Sequence, residues 1–154
     1  MSTRAIIAID RRKEYLPADK LGPLGIDQVV ANAVAVSGDA RTKGALAVNV
    51  RHESAGLAAM PVFRPVVPKY HPNSFLKTDL KKVLDDHGIK EAVIVGAMSH
   101  MCVDVTTRAA SDLGYPVTGI HDACSTRDVE FGNQTVAAAQ VHTAVMSALA
   151  FAYV

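Results

Sequence analysis

Tryptophan is absent, other aromatics are sparse, and there are only two cysteines, with neither acidic nor basic side chains in excess. Each shortage narrows the possibilities. Cys102 and Cys124 could close one bridge at most, so a disulfide scaffold is excluded and both are read as thiols. Sixteen basic against fifteen acidic side chains leave a formal charge of +1, too weak a field to gather nucleic acid or anionic lipid. No run approaches the ~18 apolar residues of a membrane span. The opening MSTRAIIAID also lacks the apolar stretch and small-residue cleavage site of a secretion signal. The expected setting is therefore cytoplasmic, with no nucleic-acid and no membrane partner. What the chain does have is 49% hydrophobic and 20% charged residues over 154 positions, the profile of one aliphatic-cored domain, 1–154, that can fold without metal or disulfide.

Strands and helices alternate. RAIIAI (4–9) is a continuous apolar run, as a buried parallel strand would be, and ends on Asp10. Apolar side chains recur at helical spacing from Ile26 to about Thr42, with Gly44 as the stop. ALAVNV (45–50) reads as a second strand. Residues 51–78 hold four prolines and no clean period, and read as a long loop of the kind usually kept for function. A short helix over 79–87 stops at Gly88, and EAVIVG (91–96) is a third strand. Ser99 is a candidate N-cap for a helix running to Leu113 and closed by Gly114, and PVTGIH (116–121) is a fourth strand. A last helix spans about 134–150, with room for a terminal strand in FAYV. The pattern predicts an α/β fold, a doubly wound three-layer αβα sandwich with a mainly parallel sheet. Ligands of such sheets bind beyond the carboxyl ends of the strands. Asp10, His52, Cys102 and the Asp122/Cys124 pair all follow strands and gather on that rim.

Cys102 lies two or three residues inside a predicted helix start, where unpaired N–H groups and the helix dipole favour a thiolate and should lower its pKa. A cysteine in an apolar region is, taken alone, more often a small buried hydrophobe. A reactive thiol needs a proton acceptor and a cation nearby, and Asp10 and Lys69 are of the right types. Alone, Asp10 could be a turn residue and Lys69 a solvated charge.

Taken together, AIIAID, PKYHPNSF around Lys69, VGAMSHMCVDVTTRAASDLGY around Cys102, and DACSTR resemble the isochorismatase-like cysteine hydrolases over nearly the whole chain. The resemblance implies a catalytic triad of Asp10, Lys69 and Cys102. It also implies a non-proline cis peptide between Ala97 and Met98, and an oxyanion hole from the N–H groups of Met98 and Cys102. The implied activity is cleavage of the C–N bond of a small amide through a thioester. Members lacking the cysteine hydrolyse the vinyl ether of isochorismate instead, so that reaction, or an inactive binding relative, is the alternative. As in the family, a homo-oligomer, dimer or tetramer, is expected.

Two features depart from the family pattern. Arg12 stands where the family usually has Gln, and the segment between His52 and Lys69 is shortened. Nicotinamidase relatives bind a metal through an Asp-x-His pair after the second strand, but NVRHE lacks that Asp, so no metal and no cofactor are expected. His71 and His100 read as polar loop residues, Cys124 as structural, and Arg108 as half of a structural ion pair. Tyr15, His52 and Phe75 are candidate substrate contacts.

Overall fold

The computed structural model describes residues 2–10, 26–53 and 65–154. Tyr15, Arg12 and most of the shortened loop lie outside these residues. A five-stranded parallel sheet runs in the order β3-β2-β1-β4-β5, formed by β1 (Arg4–Ile9), β2 (Leu46–His52), β3 (Val66–Lys69), β4 (Glu91–Ala97) and β5 (Val117–Ser125). Helices α1 (Ile26–Thr42), α2 (Leu80–Asp86), α3 (Asp104–Asp112) and α4 (Ala138–Ala152) complete the layers of a doubly wound αβα sandwich.

The central strand shows why its sequence is apolar throughout. Ile7 and Ile9 point into the large core with Val48, Val50, Ile94, Leu80 and Val103, on the side of α2 and α3. Ile6 and Ala8 point the other way, against Val93, Val95 and Ala33 of α1. Both faces of β1 are covered, so neither can be polar. Right-handed crossovers explain the layering. The chain moves one way along the sheet from β1 through α1 to β2, then reverses through α2 and α3 to β4 and β5. The reversal falls between β1 and β4, and in such sheets that switch point is where the cleft opens.

Gly96 sits at that point. It pairs with Ile9 across β1 and β4. Its φ is +130°, and a Cβ added there would lie 2.0 Å from the Ile9 carbonyl oxygen. Only glycine lets the two strands approach this closely beside Asp10.

Several boundaries differ from the sequence reading, each for a physical reason. Residues 66–69, expected within a loop, form β3, a four-residue edge strand whose Pro68 conceals it. Ser99 does not cap a helix. Residues Ser99–Val103 form a π-helical turn with no side-chain cap, in which the Val103 N–H donates to the Met98 carbonyl at 3.2 Å, and α3 follows only from Asp104. Asp122 and Cys124 lie within β5, which is longer than expected because a register shift between Ile94 and Gly96 absorbs extra residues of β5. The last helix begins at Ala138 rather than 134, because 129–136 form the antiparallel hairpin β6 (Val129–Phe131) and β7 (Gln134–Val136). Its two-residue loop is Gly132-Asn133, with Gly132 at φ +61°, a dipeptide that itself signals a hairpin. Phe151 and Ala152 continue α4 and form no terminal strand.

Candidate active site

Four strand ends deliver the site. Lys69 follows Val67 by two residues on β3, and His52 follows Val48 and Val50 on β2, so strand alternation turns both toward the large core. The same alternation would send Asp10 to the opposite face, because Ile9 already fills the large core. The backbone of Asp10 breaks the pattern with a φ of +49°, in the left-handed region that Asp tolerates better than most residues. Its N–H still donates to the Val50 carbonyl at 2.9 Å, so the turn is anchored to β2.

The carboxylate so turned is held on both oxygens. Oδ2 lies 2.7 Å from Lys69 Nζ, and Oδ1 accepts the His52 backbone N–H at 2.8 Å. Lys69 is 0% exposed and Asp10 2%, making this a buried ion pair. Lys69 Nζ also donates to the Pro72 carbonyl at 3.2 Å. Burying two charges is costly unless they are paired and hydrogen-bonded, so the pair carries a cost that function has to justify.

Cys102 lies in the π-helical turn after β4, 8% exposed. A ring nitrogen of His52, a carboxylate oxygen of Asp10 and the Cys102 sulfur all fall within 4.8 Å of one another. These donor types also suit a divalent ion, but the carboxylate already holds a buried ammonium, so the chain itself supplies the positive charge. The peptide bond between Ala97 and Met98 is cis. Burial and the Asp10 charge push the Cys102 thiol up to about 11, against the pull of the Lys69 ammonium. This corrects the expectation of a lowered pKa: at this helix start, desolvation outweighs the dipole.

A thiol of this kind should be alkylated slowly near neutrality. Its rate with iodoacetamide is expected to climb about tenfold per pH unit to about pH 10, where a preformed thiolate would plateau below about pH 8. Cys124, 3% exposed and pushed up to about 12 by burial, should be spared. Peptide mapping of the alkylated protein measures both.

The remaining candidates are placed as follows. Phe75 is half-buried and stacks on Tyr115, with ring centroids 6.3 Å apart. His71 and His100 line a surface groove of about 450 Å³ with Pro72, Leu76, Met101 and Asp104, beside the Lys69 anchor and the nucleophile turn. His100 shares a hydrogen bond with Thr126, and its pKa is lowered by burial and the Arg127 charge. Arg108 pairs with Asp104 at 2.9 Å and lies over the Tyr153 ring. A contact the sequence does not announce joins Ser99 Oγ to His142 Nδ1 at 2.7 Å, fastening α4 to the nucleophile turn. The two residues are too far apart in the chain for any local motif to reveal it.

Known proteins resemble this chain in sequence and in fold. The Isochorismatase domain family matches residues 4–150. The chain is 34% identical to the uncharacterised isochorismatase family protein YddQ of Bacillus subtilis, over 96% of this chain and 91% of that one. It is also 34% identical to a streptothricin hydrolase of Streptomyces noursei, over 58% of this chain and 38% of that enzyme. A solved structure from Oleispira antarctica, assigned to the isochorismatase hydrolases, superposes with a TM-score of 0.91 at 43% identity, covering 99% of this chain and 93% of that one. With this fold, this rim of side chains and these relatives, the chain belongs to the isochorismatase family of hydrolases.

Proposed function

We propose that this hydrolase is a cysteine-dependent amidase, cleaving the C–N bond of a small amide through a thioester on Cys102. The observation that carries the reading is the buried Lys69–Asp10 pair, whose carboxylate lies within 4.8 Å of the Cys102 sulfur. Because the resting thiol is protonated, deprotonation accompanies attack. Asp10 takes the proton as sulfur bonds to the carbonyl carbon, and Lys69 holds the carboxylate in place and balances its charge. The Met98 and Cys102 N–H groups receive the oxyanion. Asp10 then returns the proton to the departing amine, leaving the acyl group on sulfur. The streptothricin hydrolase relative supports hydrolysis as the reaction class.

The substrate is a small molecule, the kind of ligand held at the strand-end rim of such a sheet. Both cysteines are free thiols, in keeping with work in the reducing cytoplasm. The protein acts as a homo-oligomer, in which a second copy shields Phe131 and Phe151, 93% and 90% exposed.

The test is ammonia release from a panel of small primary amides. Wild-type protein should turn over at least one of them, and Cys102→Ala should be slower by about a thousandfold or more, with its fold intact by circular dichroism. Undiminished turnover in that variant would defeat the cysteine mechanism. Isochorismate cleavage that survives alkylation of Cys102 would point to vinyl-ether hydrolysis in its place.

A further inference from the structure

We propose that His142 is a positioning residue for the oxyanion hole, acting through Ser99 on the turn that carries the Met98 and Cys102 N–H groups. The inference rests on the cysteine reading above and adds to it a residue from outside the strand-end rim.

Ser99 is placed to do this. It follows the cis Ala97–Met98 peptide directly, opens the π-helical turn, and stands in the chain between the two oxyanion donors. No side chain caps the start of that turn. Its backbone is held at the Met98 carbonyl, which accepts the Met101 and Val103 N–H groups. The Ser99 side chain supplies a second tether. It is 0% exposed, and its hydroxyl shares a 2.7 Å hydrogen bond with His142 Nδ1.

A polar contact is more than the fold needs here. Ala138, Val141 and Leu149 already seat α4 by burial, and Met146 packs against the large core. An apolar pair at 99 and 142 would hold the helix as well, whereas a hydrogen bond fixes the direction and distance of what it joins. The ring serves without taking up charge, because burial and the nearby His121 lower its pKa. Placement matters for an oxyanion hole, where a shift of about 1 Å costs about a hundredfold in rate. Without His142 the buried hydroxyl turns to the backbone of its own turn for a partner, as serine side chains readily do. That bond draws the peptide after Met98 out of place.

Two reagents for Cys102 separate this role from a general loosening. Acylation by p-nitrophenyl acetate passes through a tetrahedral oxyanion, whereas iodoacetamide alkylates sulfur by displacement at a saturated carbon and forms none. His142→Ala should slow the nitrophenolate burst about thirtyfold at saturating ester. Its alkylation rate at Cys102, read by peptide mapping, should stay within about threefold of wild type. His142→Asn should restore most of the burst, because its amide offers a donor or an acceptor two bonds beyond Cβ, where Nδ1 stands. His142→Gln reaches to the Nε2 position instead and should not. Ser99→Ala should match His142→Ala, and the double variant should be no slower than either single one.

An undiminished burst in His142→Ala, equal slowing of burst and alkylation, or losses that multiply in the double variant would each overturn the role. So would rescue by His142→Gln and not by His142→Asn. No burst in wild type, or one that persists in Cys102→Ala, overturns the cysteine reading itself, and the role of His142 falls with it.

Discussion

Replacing Lys69 by methionine is expected to remove both activity and much of the stability. The side chain is 0% exposed and its ammonium is the cation 2.7 Å from Asp10. Without it, a carboxylate buried to 2% exposure remains in the site with no ion-pair partner among the described residues. Breaking one side of a buried pair costs about 3–5 kcal/mol, a large share of the ~5–15 kcal/mol that holds a typical domain together. Urea unfolding should show the loss as a lower midpoint at unchanged slope. Ammonia release should fall by about a thousandfold, because the proton acceptor is no longer fixed or charge-balanced. The double variant Asp10→Asn with Lys69→Met separates the two effects. It carries no buried charge at either position, so stability should return toward the wild-type value while activity stays lost. If the double variant is as unstable as the single one, the destabilisation comes from lost packing and not from an unpaired charge.

Gly96→Ala should be more damaging than its size suggests. The added methyl would meet the Ile9 carbonyl oxygen at 2.0 Å, and the residue would keep a φ of +130° that side chains rarely adopt. The obstacle is backbone on the central strand, so no rotamer change relieves it. Strands β1 and β4 would have to separate at the position that precedes Asp10. A loss of more than about 4 kcal/mol is expected, enough for low soluble yield or a steep drop in melting temperature. Gly119→Ala in β5 is the control, because its nearest neighbour is a Val154 methyl at 3.8 Å and its melting temperature should barely move. Equal behaviour of the two variants would mean that the sheet tolerates widening beside the site.

What the chain discloses about itself follows from how local each signal is. The β1 run, the α1 period and the glycine stops at Gly44, Gly88 and Gly114 are short-range patterns, and the structure has those elements within a residue or two. The rim that collects Asp10, His52 and Cys102 follows from strand order and crossover handedness, which are also readable from sequence. The β3 strand was hidden because Pro68 is a breaker everywhere except at an edge, and nothing local says that 66–69 is an edge. The hairpin at 129–136 had its signal in Gly132-Asn133, overshadowed by the alanine-rich run that follows. Like the Ser99–His142 contact, two further features had no sequence signal at all. The backbone turn at Asp10 is required only because Lys69 lies on the other side of the sheet. The raised thiol pKa is a sum over everything that buries Cys102, and desolvation is a property of the folded whole.

Pro68 has one more consequence. Asn49 and Glu53 donate to the Pro65 and Lys69 carbonyls, so the odd-numbered residues of this stretch face β2 and the even-numbered ones face outward. The proline ring therefore costs the ladder nothing, and it leaves that border with Val66 as the one outward amide donor of the strand. A foreign strand seeking to extend the sheet from this side would find few partners, so the residue that hid the strand from view also guards it against amyloid-like growth.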